Sequence, residues 1–249
     1  MPTLALIPAR YASTRFPGKP LIDIKGKSMI QRVYEQCLKA QRVDKVGVAT
    51  DAPRIFEHVK DFGGEVWMTS ETHRSGTDRI AEVASQLTAF DTILNVQGDE
   101  PFIAPAQIDL LVESLHQSEA TIATLVSPFR EAADLHNPNR VKVVRDNSGK
   151  ALYFSRAAIP FIRDAAQNDW LQHHTYYQHI GLYAFERETL LALTKLDPHP
   201  LEMAESLEQL RWLGHDWAIQ TAIGEEAGMA IDRPEDLDRL LRWIEASGS

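Results

Sequence analysis

The sequence predicts an α/β fold, a mostly parallel sheet flanked by helices, with a smaller β-rich lobe inserted at roughly residues 127–185. Three observations predict it. Short apolar runs at Leu4-Ala5-Leu6-Ile7, Lys45 to Thr50 and Thr92 to Val96 alternate with stretches of helical period, which implies right-handed crossovers between parallel strands. After about residue 120 that rhythm gives way to successive extended runs joined by turns. Finally, 249 residues without an internal repeat, low-complexity tract or clear linker suit one domain, 1–249, with a sizeable core.

Taken in order, the first strand runs into IPARYASTRFPGKPL, where Pro8, Pro17, Gly18 and Pro20 exclude a helix or central strand through most of the stretch. Ser28 and Gln31 have capping-box spacing, and Met29, Val33, Tyr34, Cys37 and Leu38 form the buried stripe of the helix that follows. KVGVAT is a strand ending at Asp51. Ile55, Val59 and Phe62 mark a helix stopped by Gly63-Gly64, and EVWM is a short strand. RSGTDR opens a helix with stripe Ile80, Val83, Ala84 and Leu87, and the strand ending at Val96 runs directly into Gln97-Gly98-Asp99-Glu100-Pro101. The helix after Pro105 carries Ile108, Leu111, Val112 and Leu115. Thr121 to Val126 is extended, and Val141 to Arg145 pairs across Asn147-Ser148-Gly149 with Leu152 to Ser155. Residues 163 to 176 read as polar and irregular. Gln178 to Phe185 alternates, with His179, Gly181 and Tyr183 on one face. Leu201 to Leu213 reads as one helix, Trp217 to Ala222 as a strand and Pro234 to Ala246 as a closing helix.

Composition narrows the function. A net charge of -9 argues against a nucleic-acid polymer as partner, so an anionic ligand must be small and held locally. The single cysteine, Cys37, forms no internal disulfide, builds no cysteine metal cluster and fits a reducing cytoplasm. No run approaches about 18 apolar residues, and Arg10 interrupts the N-terminal one, so neither membrane insertion nor a signal peptide is expected.

The concentrated positive charge lies at Arg10, Arg15 and Lys19, with no acidic residue before Asp23. Loops beyond the carboxyl ends of strands in such sheets hold ligands. Guanidinium forks and an ammonium suit phosphate oxygens, and three cations suit a triphosphate. Spacing alone leaves a solvated basic loop equally open. Gly26-Lys27-Ser28 lacks the earlier glycine of a P-loop, and no G-x-G-x-x-G follows the first strand. Asp99, just past a buried strand, suits a divalent cation between carboxylate and phosphate, with Asp232 as the candidate second ligand. A turn terminator at Asp99 and a helix cap at Asp232 are the alternatives.

These segments resemble the 3-deoxy-D-manno-octulosonate cytidylyltransferases, the CMP-Kdo synthetases. The resemblance rests on IPARYASTRFPGKPL, VATD, SGTDR, NVQGDEPFI, NPNRVKVV, ALYFSRAAIP, HIGLYAF, ESLEQLRWL and IDRPEDL, which run in order over residues 7 to 237. The basic loop and QGDEP are shared among cytidylyltransferases, whereas ALYFSRA, HIGLY and LEQLR are narrower. The chain departs from the family pattern at Arg74, Asp78 and Arg233. The resemblance implies a nucleotide-diphospho-sugar transferase-like fold, a homodimer formed through the smaller lobe, and transfer from CTP to Kdo for lipopolysaccharide synthesis, with Mg2+. It further implies that Arg10, Arg15 and Lys19 hold the CTP phosphates, with Arg74 and Ser75 near the nucleotide. Asp99 and Asp232 would ligate magnesium. Gln97, Arg156, His179, Tyr183, Glu208 and Gln209 would line the sugar pocket. For His179 and Tyr183 spacing alone equally allows a satisfied core pair, and for Glu208 and Gln209 it favours an exposed helix face.

Overall fold

The computed structural model describes residues 1–12, 16–225, 231 and 233–247. The chain divides into two compact units, Met1–Asp109 with Ala227–Ser249, and Leu110–Glu226. The 127–185 segment falls wholly inside the second.

The first unit holds β1 (Thr3–Ala9), β2 (Asp23–Ile24), β3 (Lys27–Ser28), β4 (Lys45–Thr50), β5 (Val66–Met68) and β6 (Thr92–Asn95). Strands β6, β1, β4 and β5 lie side by side in that order, all parallel, while β2 and β3 form a separate antiparallel pair. Leu4, Ala5, Leu6 and Ile7 have no exposed surface, as expected of a parallel strand covered on both faces. β1 runs further than the prolines predict, through Pro8 to Ala9. The Leu6 carbonyl accepts from Val96 N, so Pro8, two residues on, faces the β6 side, where the register has already ended at Leu6. Its missing N–H therefore interrupts no ladder.

Met29–Leu38 is helical, and Ser28 Oγ caps Gln31 N at 3.2 Å. The Gln31 side chain turns to Glu35 instead of closing the box. Cys37 is buried and its thiol pushed up to about 12 by desolvation, whereas Leu38 stands exposed rather than on the stripe. Helices Pro53–Asp61 and Gly76–Gln86 follow β4 and β5 as read from the sequence. The closing helix Pro234–Ser247 packs Leu240 and Ile244 against Ile24, Met29 and Ile231.

The helix Pro105–Gln117 carries the chain from the first unit into the second. There β7 (Ile122–Pro128), β8 (Lys142–Arg145), β9 (Ala151–Ser155), β10 (Tyr177–Glu186) and β11 (Ile219–Ile223) follow. β11 runs parallel to β7, and the pairs β7–β10, β10–β8 and β8–β9 are antiparallel. Two readings are corrected here. The 163–176 stretch contains the short helix Trp170–His173, and Trp170 anchors a cluster with Phe129, Leu135 and Tyr176. Residues 201–213 form two helices, Pro200–Glu205 and Gln209–Gly214. Ser206 breaks them by adopting the left-handed conformation at φ 52. Among the described residues, no helix is long and apolar enough to cross a membrane.

Candidate active site

In the first unit, three loops converge at the carboxyl end of β1. Gly76 and Gly98 both approach Pro8: a Cβ at Gly76 would lie 3.0 Å from Pro8 Cγ, and one at Gly98 3.4 Å from the Pro8 carbonyl oxygen. A side chain at Gly76 would have to shift Pro8 slightly, whereas one at Gly98 would meet it at ordinary contact distance. Arg10 leaves the strand exposed to solvent. The basic loop folds back through Gly18, whose N–H donates to Tyr11 O at 3.0 Å and whose φ of 72 suits a residue without Cβ. Lys19 then points inward. Its Nζ donates to Asp99 Oδ2 and to the Ile231 carbonyl, both at 2.8 Å, and Ile231 N donates to Asp99 O at 3.0 Å. The basic loop, the Gln97–Asp99 loop and the segment leading to position 232 are thereby closed into one ring.

Ser75 caps Gly76–Gln86 through a full capping box. Its Oγ accepts from Asp78 N at 3.1 Å, and Asp78 Oδ2 accepts from Ser75 N at 3.2 Å. Arg74, just before it, is exposed, and Gln97 is half-buried. Arg15 and Asp232 lie outside the described residues.

Among the described residues no group of three or more His, Cys, Asp or Glu could hold a metal ion. The donor chemistry on this edge nevertheless fits a hard divalent cation: the Asp99 carboxylate and Ile231 carbonyl are oxygen donors already arranged around one positive charge. Beside them Glu100 is buried, with Oε2 lacking a hydrogen-bond partner, and burial plus the neighbouring Asp99 charge push its carboxyl up to about 7.

One pair on this edge received no role from the sequence. Arg79, 1% exposed, donates to Asp51 Oδ2 and Thr69 Oγ1, each at 2.5 Å. Asp51 ends VATD and Arg79 ends SGTDR, so two of the matched segments meet in one ion pair. It ties the end of β4 to the first turns of Gly76–Gln86. The available signal was an arginine beside Ile80 and Val83, on a helix stripe otherwise apolar.

In the second unit, β10 carries a register shift against β7 between Ile180 and Tyr183. Thr124 Oγ1 fills it, reaching the carbonyls of Ile180 at 3.1 Å and Leu182 at 2.9 Å and His179 Nε2 at 3.1 Å. Two extra residues sit on β10 between those pairs, so the alternation survives and His179 and Tyr183 stay on one face, their rings 5.3 Å apart. Desolvation lowers His179 to about 3, so its imidazole is neutral at ordinary pH. Tyr183 packs against Trp212 and Phe185, and its buried hydroxyl, beside Thr124, completes no hydrogen bond of full geometry. Burial raises its pKa well above 10, with Glu208 adding to the shift. The pair is therefore only half satisfied, and the phenol retains a donor for a ligand. Gln209 is buried and Glu208 half-buried, against the exposed face that spacing favours. Arg156 directs its guanidinium to backbone carbonyls, Glu205 at 2.7 Å, Pro138 at 3.1 Å and Ser206 at 3.2 Å.

Known proteins resemble this chain in sequence and fold. The family model described as Cytidylyltransferase matches residues 4–220. A 3-deoxy-manno-octulosonate cytidylyltransferase from Parabacteroides distasonis is 50% identical, covering 98% of both chains. One of the same description from Geobacter metallireducens is 48% identical, again covering 98% of both. The solved structure of a CMP:2-keto-3-deoxy-manno-octonic acid synthetase complexed with CTP superposes with a TM-score of 0.93 at 39% identity, covering 99% of this chain and 100% of the other. A 4-diphosphocytidyl-2C-methyl-D-erythritol synthase from Anaerococcus prevotii shares the fold alone, at a TM-score of 0.63 and 13% identity. The chain thus belongs to the cytidylyltransferase family and, within it, to the 3-deoxy-manno-octulosonate cytidylyltransferases.

Proposed function

We propose that this chain transfers the cytidylyl group of CTP to Kdo, giving CMP-Kdo and pyrophosphate for lipopolysaccharide synthesis. The observation that carries the reading is the Lys19–Asp99–Ile231 ring, which concentrates a cation and oxygen donors on the edge where the basic loop begins. Arg10, Arg15 and Lys19 bind the triphosphate, and Arg74 and Ser75 flank the nucleotide. The anomeric hydroxyl oxygen of Kdo forms the new bond to the α-phosphorus as the bond to the β-phosphate bridging oxygen breaks. Pyrophosphate departs and the hydroxyl proton passes to solvent. Such transfers depend on in-line placement and on neutralising the phosphoryl oxygens.

Asp99 and Asp232 would hold Mg2+, which supplies charge neutralisation at the phosphates when bound. Gln97, Glu208 and Gln209 offer amide and carboxylate partners for sugar hydroxyls. His179 contributes a neutral imidazole and Tyr183 an unspent hydroxyl donor. Arg156 contributes its positive charge toward the sugar carboxylate. The enzyme works in the cytoplasm as a homodimer.

The test is pyrophosphate release from each NTP with Kdo, 8-amino-Kdo or sialic acid, with and without Mg2+. Release confined to CTP with Kdo in the presence of Mg2+ is the expected result. Absence of release from CTP and Kdo would refute the reading. Sedimentation of the purified chain tests the dimer.

A further inference from the structure

Lys142 on β8 has no exposed surface, yet no step of the proposed transfer uses it. Burying an ammonium is strongly unfavourable unless its protons are matched. Here all three are. Nζ donates to the carbonyls of Asn137 at 3.0 Å, Arg140 at 2.9 Å and Arg156 at 2.5 Å. Desolvation pulls the Lys142 pKa down, and the Glu205 charge opposes that pull.

The three carbonyls belong to two separate segments, the loop before β8 and the residue just after β9. Arg156 closes the same knot from its other end. Its guanidinium reaches Pro138 O in that loop and the carbonyls of Glu205 and Ser206 at the break between two helices. The Glu205 carboxylate returns the contact, accepting from Ser155 Oγ at 2.6 Å and Arg156 N at 2.9 Å. Ser206 adopts a left-handed conformation that a residue with a Cβ takes only against strain, and the Arg156 contact holds it there. Ser155, Lys142 and Gln178 are register partners across β9, β8 and β10, and Arg140 donates to Gln178 Oε1 at 3.0 Å. One buried charge is therefore linked through the sheet to the residue before His179. Through Arg156 it is linked to the helix break just before Glu208 and Gln209.

We infer that Lys142 is a positioning residue for sugar binding, setting the Ser206 break and thereby the placement of Glu208 and Gln209. This rests on the reading that Kdo is the acceptor. An apolar side chain of equal length would fill the same space and take the Lys142 donor away from three carbonyls, of which Asn137 O keeps only the Arg140 N–H.

The experiment compares steady-state kinetics of wild type, Lys142→Met and Glu205→Gln with CTP and Kdo varied separately. Glu205→Gln is the milder probe, keeping the side chain's shape while removing the charge that faces Lys142. For Lys142→Met the KM for Kdo is expected to rise at least ~10-fold while the KM for CTP changes by less than ~2-fold, since only interactions with the sugar are displaced. Glu205→Gln is expected to shift the Kdo KM the same way by roughly 3-fold. Equal rises for both substrates, or an unchanged Kdo KM in a folded Lys142→Met protein, would overturn the inference. If Lys142→Met does not fold, Glu205→Gln decides, and an unchanged Kdo KM there overturns it equally. A wild type inactive with CTP and Kdo would instead sink the proposed function, and with it this inference.

Discussion

The two units place polar groups by opposite means. In the first, charges gather at the carboxyl ends of the strands and are held by ion pairs and close backbone approach, from the partly exposed Lys19–Asp99 pair to the buried Arg79 on Asp51, with Gly76 and Gly98 against Pro8. In the second, groups are held by withdrawal from water. His179 is neutral, the Tyr183 hydroxyl completes no full hydrogen bond and Lys142 is matched only by carbonyls. A surface edge must attract a highly charged, hydrated ligand, for which fixed cations and hard oxygens are the economical device. A sugar is read by hydroxyl geometry, for which buried, pre-oriented donors and acceptors discriminate better.

Breaking the first mode should cost stability most at Arg79. Arg79→Met leaves the Asp51 carboxylate and Thr69 without their partner and should lower unfolding free energy by about 3 kcal/mol in urea titration. A loss under ~1 kcal/mol would mean that the pair is dispensable. Asp99→Asn should leave the fold intact and cut turnover by at least ~100-fold, as loss of a metal ligand would. Near-normal turnover would remove Asp99 from the proposed metal site.

The second mode is exposed by pH. His179 has a folded pKa of about 3 against 6.5 for the free side chain, so below pH 6.5 the unfolded chain binds the extra proton. Its contribution to stability is complete above 6.5 and is lost as pH falls from there toward 3. Between pH 7 and 4.5 the native state should lose about 2.5 kcal/mol from this group, and His179→Gln should remove that slope. Urea midpoints at the two pH values measure it, and an unchanged slope in the variant would assign the acid sensitivity elsewhere. The smallest effect is expected at Tyr183→Phe. Removing a buried hydroxyl that completes no full hydrogen bond should leave the free protein as stable or up to ~1 kcal/mol more so, while raising the KM for Kdo. A destabilised variant with unaltered sugar kinetics would show the hydroxyl to be structural.

The regions also differ in how far they could be read from residues alone. Arg10, Lys19 and Asp99 were visible because charge between Pro and Gly, or just past an apolar run, is conspicuous against its surroundings. The neutral state of His179 is not visible there, because it depends on burial against segments distant in sequence, with Phe154 and Thr124 packed on the imidazole. Gln209 read as exposed because the 201–213 stretch looked like one continuous helix. Its burial follows from the break at Ser206, held by Arg156 from another segment. Arg79 and Lys142 are hidden for the same reason: each looks like an ordinary surface cation until its partners are known.

By itself the sequence determined the strand and helix order, the parallel core of the first unit, the basic loop and the family. These are encoded in local periodicity, turn chemistry and contiguous motifs. The tertiary structure alone decided that β1 continues through Pro8, that Lys19 meets Asp99, and which cations are buried. A long-range contact changes the dielectric around a group and supplies its partner, and neither can be read from the neighbours it has along the chain.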